Sequence, residues 1–249
     1  MSSWNYETGR SPSYEEIDNR FGRQVSLERA IERTAEVQDE YAAVAIGSIL
    51  SHPDIYGEDS FRTTSAGLDF IAPGAEIQRM VEDHDESWDF EEAVVYSENS
   101  SDGEWMIASI PMETCAFRDD TQQEFEFDYN DWEETRIIDT DHGMIEAVPP
   151  ELGITSKMRR YLMQKKNRGG FKKGDTIDMA SMALRDEKEG LTDADTLSKY
   201  FERYLTQTVP IEEVQDDFED ILLNEQLETR ITREEVDDIL RQVESWFSN

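Results

Sequence analysis

Lysine is absent from the first 156 residues of this chain; all seven lysines lie between Lys157 and Lys199. Cysteine is nearly absent as well, with Cys115 alone. A single cysteine excludes an intrachain disulfide and the Cys₄ and Cys₂His₂ zinc sites. With no histidine close to it in sequence, Cys115 reads as a small buried residue rather than a nucleophile. Long hydrophobic runs are missing too. The longest apolar stretch, Tyr41–Leu50, is about half of the roughly 20 residues a membrane span needs. The opening Met-Ser-Ser-Trp-Asn-Tyr-Glu has neither the basic start nor the apolar core of a secretory leader. No internal repeat or low-complexity tract is present.

What fills the chain instead is carboxylate. Asp and Glu number 58 against 24 Lys and Arg, a formal charge of −34 over 249 residues. The imbalance is uneven: residues 1–156 carry 37 acids and nine arginines, whereas residues 157–249 carry 21 acids and 15 bases. The acids are spread along the chain rather than gathered in a tail, which argues against an acidic arm or a nucleic-acid mimic. A surface so charged repels itself in dilute buffer. Molar salt relieves that repulsion, because the Debye length falls from about 8 Å at 0.15 M to about 3 Å at 1 M. In composition the chain resembles the proteins of extremely halophilic archaea and their viruses. An aromatic content of 10% argues against wholesale disorder, and the length suffices for a real core.

The patterning predicts an α+β protein: a long N-terminal helix, a central antiparallel β-meander and a C-terminal helical subdomain. Residues 1–24 read as a polar N-terminal arm. Residues 25–150 read as a domain of helix plus antiparallel sheet. Residues 151–249 read as a helical subdomain that includes a basic segment, 157–173. Leu27–Leu50 carries apolar residues at the helical period, with Ser26 placed as N-cap and Pro53 as the stop. A short helix is expected at Ala75–Val81. Phe90–Tyr96, Trp105–Ile110, Glu124–Asp128, Arg136–Asp139 and Met144–Val148 are β-branched or aromatic segments separated by turn clusters, which is the spacing of a meander. After Pro149-Pro150 the pattern is helical. Thr192 and Asp195 bracket one start and Pro210 opens another. Thr232-Arg-Glu-Glu235 is a capping box, with Ile231 placed to staple against Val236.

Few motifs carry chemistry. Gly169 and Gly174 have the spacing of a phosphate loop, but Asp175 stands where its lysine must be. Asp193 and Asp195 lack the third ligand and the glycine of an EF-hand. Two His-acid clusters, around His84 (Glu82–Glu86) and His142 (Asp139–Gly143), contain legitimate metal ligands. In a chain with 58 carboxylates, however, every histidine has acidic neighbours, and both clusters read as solvated turns. Ser101 and Ser156 lie in no nucleophile elbow. No catalytic residue, metal site or cofactor is therefore assigned, and the chain is expected not to be an enzyme.

The stretch Leu152–Gly174 stands apart, with eight bases and no carboxylate. Lys157, Arg159, Arg160, Lys165, Lys166, Arg168, Phe171, Lys172 and Lys173 are the candidate partner-binding residues, with Gly169-Gly170 and Gly174 making Phe171-Lys172-Lys173 a loop tip. Against this stands the reading that the bases neutralise the protein's own carboxylates. Contacts to phosphate by counterion release weaken steeply with salt, whereas short-range Arg–carboxylate docking weakens less. High salt thus favours acidic surfaces of other protein subunits as partners, in an oligomer or hetero-complex, over nucleic acid. The sequence reading is a non-enzymatic structural or assembly subunit of a larger complex in an extreme halophile, located in its cytoplasm or in a virion. A nucleic-acid-binding regulator using 157–173 is the alternative.

Overall fold

The computed structural model describes residues 25–58, 61, 64–65, 68–72, 94–100, 103–111, 116–118, 124–126, 135–168, 173–205, 210–223 and 231–247. The arm 1–24, the helix expected at Ala75–Val81, the His84 cluster and Cys115 lie outside them. The chain is a mixed α+β protein divided into two compact units: Met1–Ile49 with Thr64–Val148, and Leu50–Thr63 with Pro149–Asn249.

In the first unit, β1 (Val25–Ser26) leads into helix α1 (Leu27–Glu40). One face of α1 is buried through Ala30, Ile31, Thr34, Ala35 and Val37, while Glu28, Glu36, Asp39 and Glu40 face outward. The helix ends there instead of running on to Leu50. Val44–Ile46 forms strand β2, buried at every residue. An apolar run of this length fits a buried strand or a buried helix equally by periodicity, and here the β-branched Val44 and Ile46 sit inside a sheet. The Gln38 carboxamide secures the exit from the helix. It donates to the carbonyls of Ala43 (2.8 Å) and Glu146 (2.6 Å) and accepts from the Glu146 N–H (2.9 Å). Gly47, at φ +83°, then opens a 3₁₀ turn (Gly47–Ser51). A Cβ there would lie 2.0 Å from Asp69 Oδ2, so both the backbone conformation and the space require glycine.

The remaining strands are β3 (Thr64–Ser65), β4 (Leu68–Ala72), β5 (Val94–Ser100), β6 (Gly103–Pro111), β7 (Ala116–Arg118), β8 (Glu124–Glu126), β9 (Arg136–Thr140) and β10 (Gly143–Ala147). Among the described residues, six of the ten strands build one sheet in the order β5-β6-β4-β2-β10-β9. It is mixed, not the expected antiparallel meander: β4 runs parallel to β6 and β2 parallel to β10. The expected segments Trp105–Ile110, Arg136–Asp139 and Met144–Val148 coincide with β6, β9 and β10, whereas Phe90–Tyr96 meets β5 only at 94–96, since β5 runs on through the expected turn cluster to Ser100. The insertion of β2 and β4 between the hairpins β5–β6 and β9–β10 depends on contacts distant in sequence, which turn spacing does not encode. Strand β1 pairs with β3, and β7 pairs with β8 with Phe117 opposite Phe125.

The second unit is helical: α2 (Pro150–Arg168), α3 (Lys173–Glu189), α4 (Ala194–Tyr204), α5 (Ile211–Leu222) and α6 (Arg233–Trp246). Its core holds Ile154, Met158, Leu162, Met179, Met182, Leu184, Leu197, Phe218, Val236, Ile239 and Val243. Helix α6 begins with the expected capping box. The Glu235 N–H donates to Thr232 Oγ1 (3.2 Å) and the Thr232 N–H donates to the Glu235 carboxylate (2.7 Å). The cap of α4 is Asp193, between the two residues expected, and its carboxylate accepts from the Thr196 N–H at 2.8 Å.

Residues 50–58 and 61 join these helices from far upstream as a strap. It is bonded to itself through Ile55 N–H to His52 O (2.9 Å), Gly57 N–H to His52 O (3.0 Å) and Tyr56 N–H to Leu50 O (3.1 Å). Leu50, Ile55, Tyr56 and Phe61 are buried.

Candidate functional site

The basic segment lies mostly on α2, and α2 is buried over most of its circumference: Glu151–Thr155, Lys157–Arg159 and Tyr161–Met163 are all inaccessible. A central helix cannot keep its bases on one wet face, so several are drawn inward and meet carboxylates there. Lys157 Nζ lies 2.8 Å from Asp178 Oδ2 and 3.9 Å from Asp175 Oδ1 on α3. Asp178 Oδ1 also accepts from the strap's Ser51 hydroxyl at 3.0 Å. Arg160 grips Asp175 with two bonds of 2.7 and 2.6 Å, the fork-to-fork geometry of a strong charge-assisted pair. Lys157, Arg160, Asp175 and Asp178 form a neutral quartet in which both carboxylates and Lys157 are shut off from water. Asp175, the residue that spoils the phosphate-loop pattern, is thus a structural anion.

The other inward bases are spent on helix ends and carboxylates. Arg159 Nε donates to the Tyr204 carbonyl (3.2 Å) in the last turn of α4, where a cation is also favoured by the helix dipole. Lys165 pairs with Asp217 and lies 3.5 Å from Glu213, both on α5. The Tyr161 hydroxyl donates to Asp217 at 2.6 Å, and burial together with this carboxylate pushes the phenol above its ordinary range. Lys166 and Lys173 are different. They are exposed and, among the described residues, carry no ion pair. They stand at the end of α2 and the start of α3, on either side of residues 169–172. Arg168 belongs to α2 without a described side chain, and Phe171 and Lys172 lie outside the described residues.

Two features had no signature in the sequence. Asp186 of α3 is buried and accepts from Thr192 N–H (2.8 Å), Thr192 Oγ1 (2.7 Å), Gln242 Nε2 (2.5 Å) and Trp246 Nε1 (3.2 Å). It clasps α3 to the α4 entry and to α6 beside a cavity of about 270 Å³. The strap is bound to α3 by the Ser51–Asp178 bond, by Glu58 N–H to Ser181 Oγ (2.8 Å), and by Arg185 donating to the carbonyls of Pro53 and Gly57 (3.3 Å each). The glycine at 57 and the proline at 53 were visible, but nothing local marks a segment as belonging to helices a hundred residues away.

In the first unit, His142 Nε2 lies 2.8 Å from Glu28 on α1, and this hydrogen bond raises the imidazole pKa. Among the described residues, no three His, Cys, Asp or Glu side chains converge as a metal site. Nor is any described helix long and apolar enough to cross a membrane. Ile137 and Met144 are exposed on the outer side of the β9–β10 hairpin, diagonal to one another in its register. Comparison with protein-family models, with curated proteins and with solved structures finds no match for this chain.

Proposed function

We propose that the chain is a non-enzymatic structural or assembly subunit of a larger protein complex in an extreme halophile, with a halophilic virus particle as the most concrete setting. The observation that carries this reading is the exposure of Lys166 and Lys173 without an ion pair among the described residues of a chain whose net charge is −34. Two such cations flanking residues 169–172 suit contact with the acidic surface of another subunit. The exposed pair Ile137 and Met144 supports the same reading, as apolar contact surface gains where molar salt screens charge.

The test is the double reversal Lys166→Glu and Lys173→Glu, which spares the internally paired bases Lys157, Arg159, Arg160 and Lys165. At 2 M KCl the native chain is expected to co-sediment with its partner subunits and the reversal to sediment alone with unchanged helix content. Duplex DNA binding by the native chain at 2 M KCl, abolished by the reversal, would instead establish the nucleic-acid regulator.

A further inference from the structure

Asp186 is a buried carboxylate without a cation. Elsewhere on the same helix, Asp178 and Asp175 are sealed in beside Lys157 and Arg160. Asp186, 4% exposed, meets four neutral donors instead. The Thr192 N–H reaches Oδ1, while the Thr192 hydroxyl, Gln242 Nε2 and Trp246 Nε1 all donate to Oδ2. Among the described residues no basic side chain pairs with it. A buried charge without a counter-ion is costly, and neutral hydrogen bonds offset that cost only in part.

The surroundings add negative potential. The cavity of about 270 Å³ beside Asp186 lies within the helical unit, where α3 ends at Glu189 and α6 at Trp246. Helix C-termini carry partial negative charge and favour cations. Lys188, in the last turn of α3, lies 3.4 Å from Glu58 and 4.0 Å from Glu235, and the last turn of α6 holds no base. Among the described residues that line the cavity none is basic, and Glu187 adds a second carboxylate.

The wall has also committed its donors. Thr192, Trp246 and one Gln242 amide hydrogen serve Asp186, and the Ser245 hydroxyl donates to the Gln242 backbone carbonyl at 2.8 Å. A carboxylate only accepts, so Gln242 turns Nε2 towards it and keeps Oε1 as an acceptor. Asp186 Oδ1 takes one hydrogen bond and has capacity for another. A guest therefore meets acceptors, beside the apolar Leu197 and the indole of Trp246. The volume equals roughly nine water shares of about 30 Å³ each, more than a bare inorganic ion fills.

The geometry points to a binding site for a small primary alkylammonium. Its N–H donors serve Asp186 Oδ1 and Gln242 Oε1, and its carbon chain lies against Leu197 and Trp246. The site goes beyond the assembly reading and does not depend on it.

The test uses the full chain, ¹⁵N-labelled at its tryptophan indoles and titrated with n-butylammonium chloride at 0.5 M KCl. The chain has five tryptophans, and Trp246→Phe identifies the Trp246 indole resonance by its disappearance. That resonance is expected to shift saturably while the other four stay in place. Tetramethylammonium chloride, which has no N–H to donate, should bind about tenfold more weakly or worse. The absence of a Trp246 shift overturns the inference, and so does an equal shift with tetramethylammonium or with added KCl. Asp186→Asn should also weaken butylammonium about tenfold, but it disturbs the clasp between α3 and α6. Ala194→Phe leaves every bond to Asp186 in place and enlarges an exposed wall residue at the start of α4. It should weaken binding about tenfold by occupying the cavity, and unchanged binding in this variant overturns the inference whether or not Asp186→Asn folds.

Discussion

Replacing Lys157 with methionine keeps most of the side-chain volume and removes the charge. In the native structure the lysine is 2% exposed, its partner Asp178 is 1% exposed, and the two lie 2.8 Å apart. At an effective dielectric constant of about 20, two unit charges at that distance attract by roughly 6 kcal/mol. Most of that offsets the desolvation of the two ions, so the pair as a whole stabilises little beyond an apolar replacement. Removing one partner is different, because Asp178 then stays buried with less compensation. The expected loss is about 3–5 kcal/mol, whereas Lys157→Met combined with Asp178→Leu should lose no more than about 2 kcal/mol. For a helical unit of this size each kcal/mol is worth roughly 4–8 °C in Tm. The assay is urea unfolding followed through tryptophan fluorescence, with Trp246 buried in the same unit. It is run at 0.5 M and 3 M KCl. Salt screens exposed charges far more than buried ones, so the loss should be the same at both concentrations. A loss below about 1 kcal/mol, the range of exposed pairs, or one that shrinks as KCl rises, would refute the account of a buried Lys157–Asp178 pair.

Three further outcomes follow from the geometry. A Cβ at Gly57 would lie 1.8 Å from the Ser51 carbonyl, so Gly57→Ala should cost about 2–4 kcal/mol; Gly190→Ala, at φ +66° in open space, should cost only about 1–2 kcal/mol by the same urea measurement. Because the Glu28 hydrogen bond raises the pKa of His142 in the folded protein, its stabilising effect is complete below the ordinary value of 6.5 and disappears as pH rises through the raised value. Unfolding midpoints of native protein and His142→Gln should therefore differ at pH 5.5 and converge at pH 9, and a difference that grows with pH would contradict this. Thr232→Ala removes one half of the α6 capping box and should cost about 1 kcal/mol, read as a lower midpoint in thermal circular dichroism.

The sequence was most legible where structure is set by near neighbours. The capping box of α6, the hairpin β9–β10 and the apolar stripes of α4 to α6 follow from residues within one turn or one strand of each other. Reading failed where the deciding contact is remote. Val44–Ile46 is a strand because β4 and β10 flank it, and neither can be inferred from the run itself. The basic segment shows the same limit in electrostatic form. Eight bases without a carboxylate look like a surface when charge is counted along the chain. Asp175, Asp178 and Asp217 come to them only through the packing of α3 and α5 on α2. Sequence spacing distinguishes an inward from an outward base only once the buried face is known, and α2 is buried on most sides. Lys166 and Lys173 remain outward at the ends of helices.

The strap also sets a clock. The Glu58 N–H and the Ser181 hydroxyl it reaches are 123 residues apart. At a synthesis rate of about 5–20 residues per second, the strap leaves the ribosome roughly 6–25 s before its partner on α3 exists. During that interval Leu50, Ile55, Tyr56 and Phe61 have no helices to cover them. Strands β3 to β10 are made in the same interval, so every strand of the first unit has been synthesised before α3 is complete. A newborn chain thus carries these four apolar side chains ahead of the helices that bury them, and so do its neighbours on the same message.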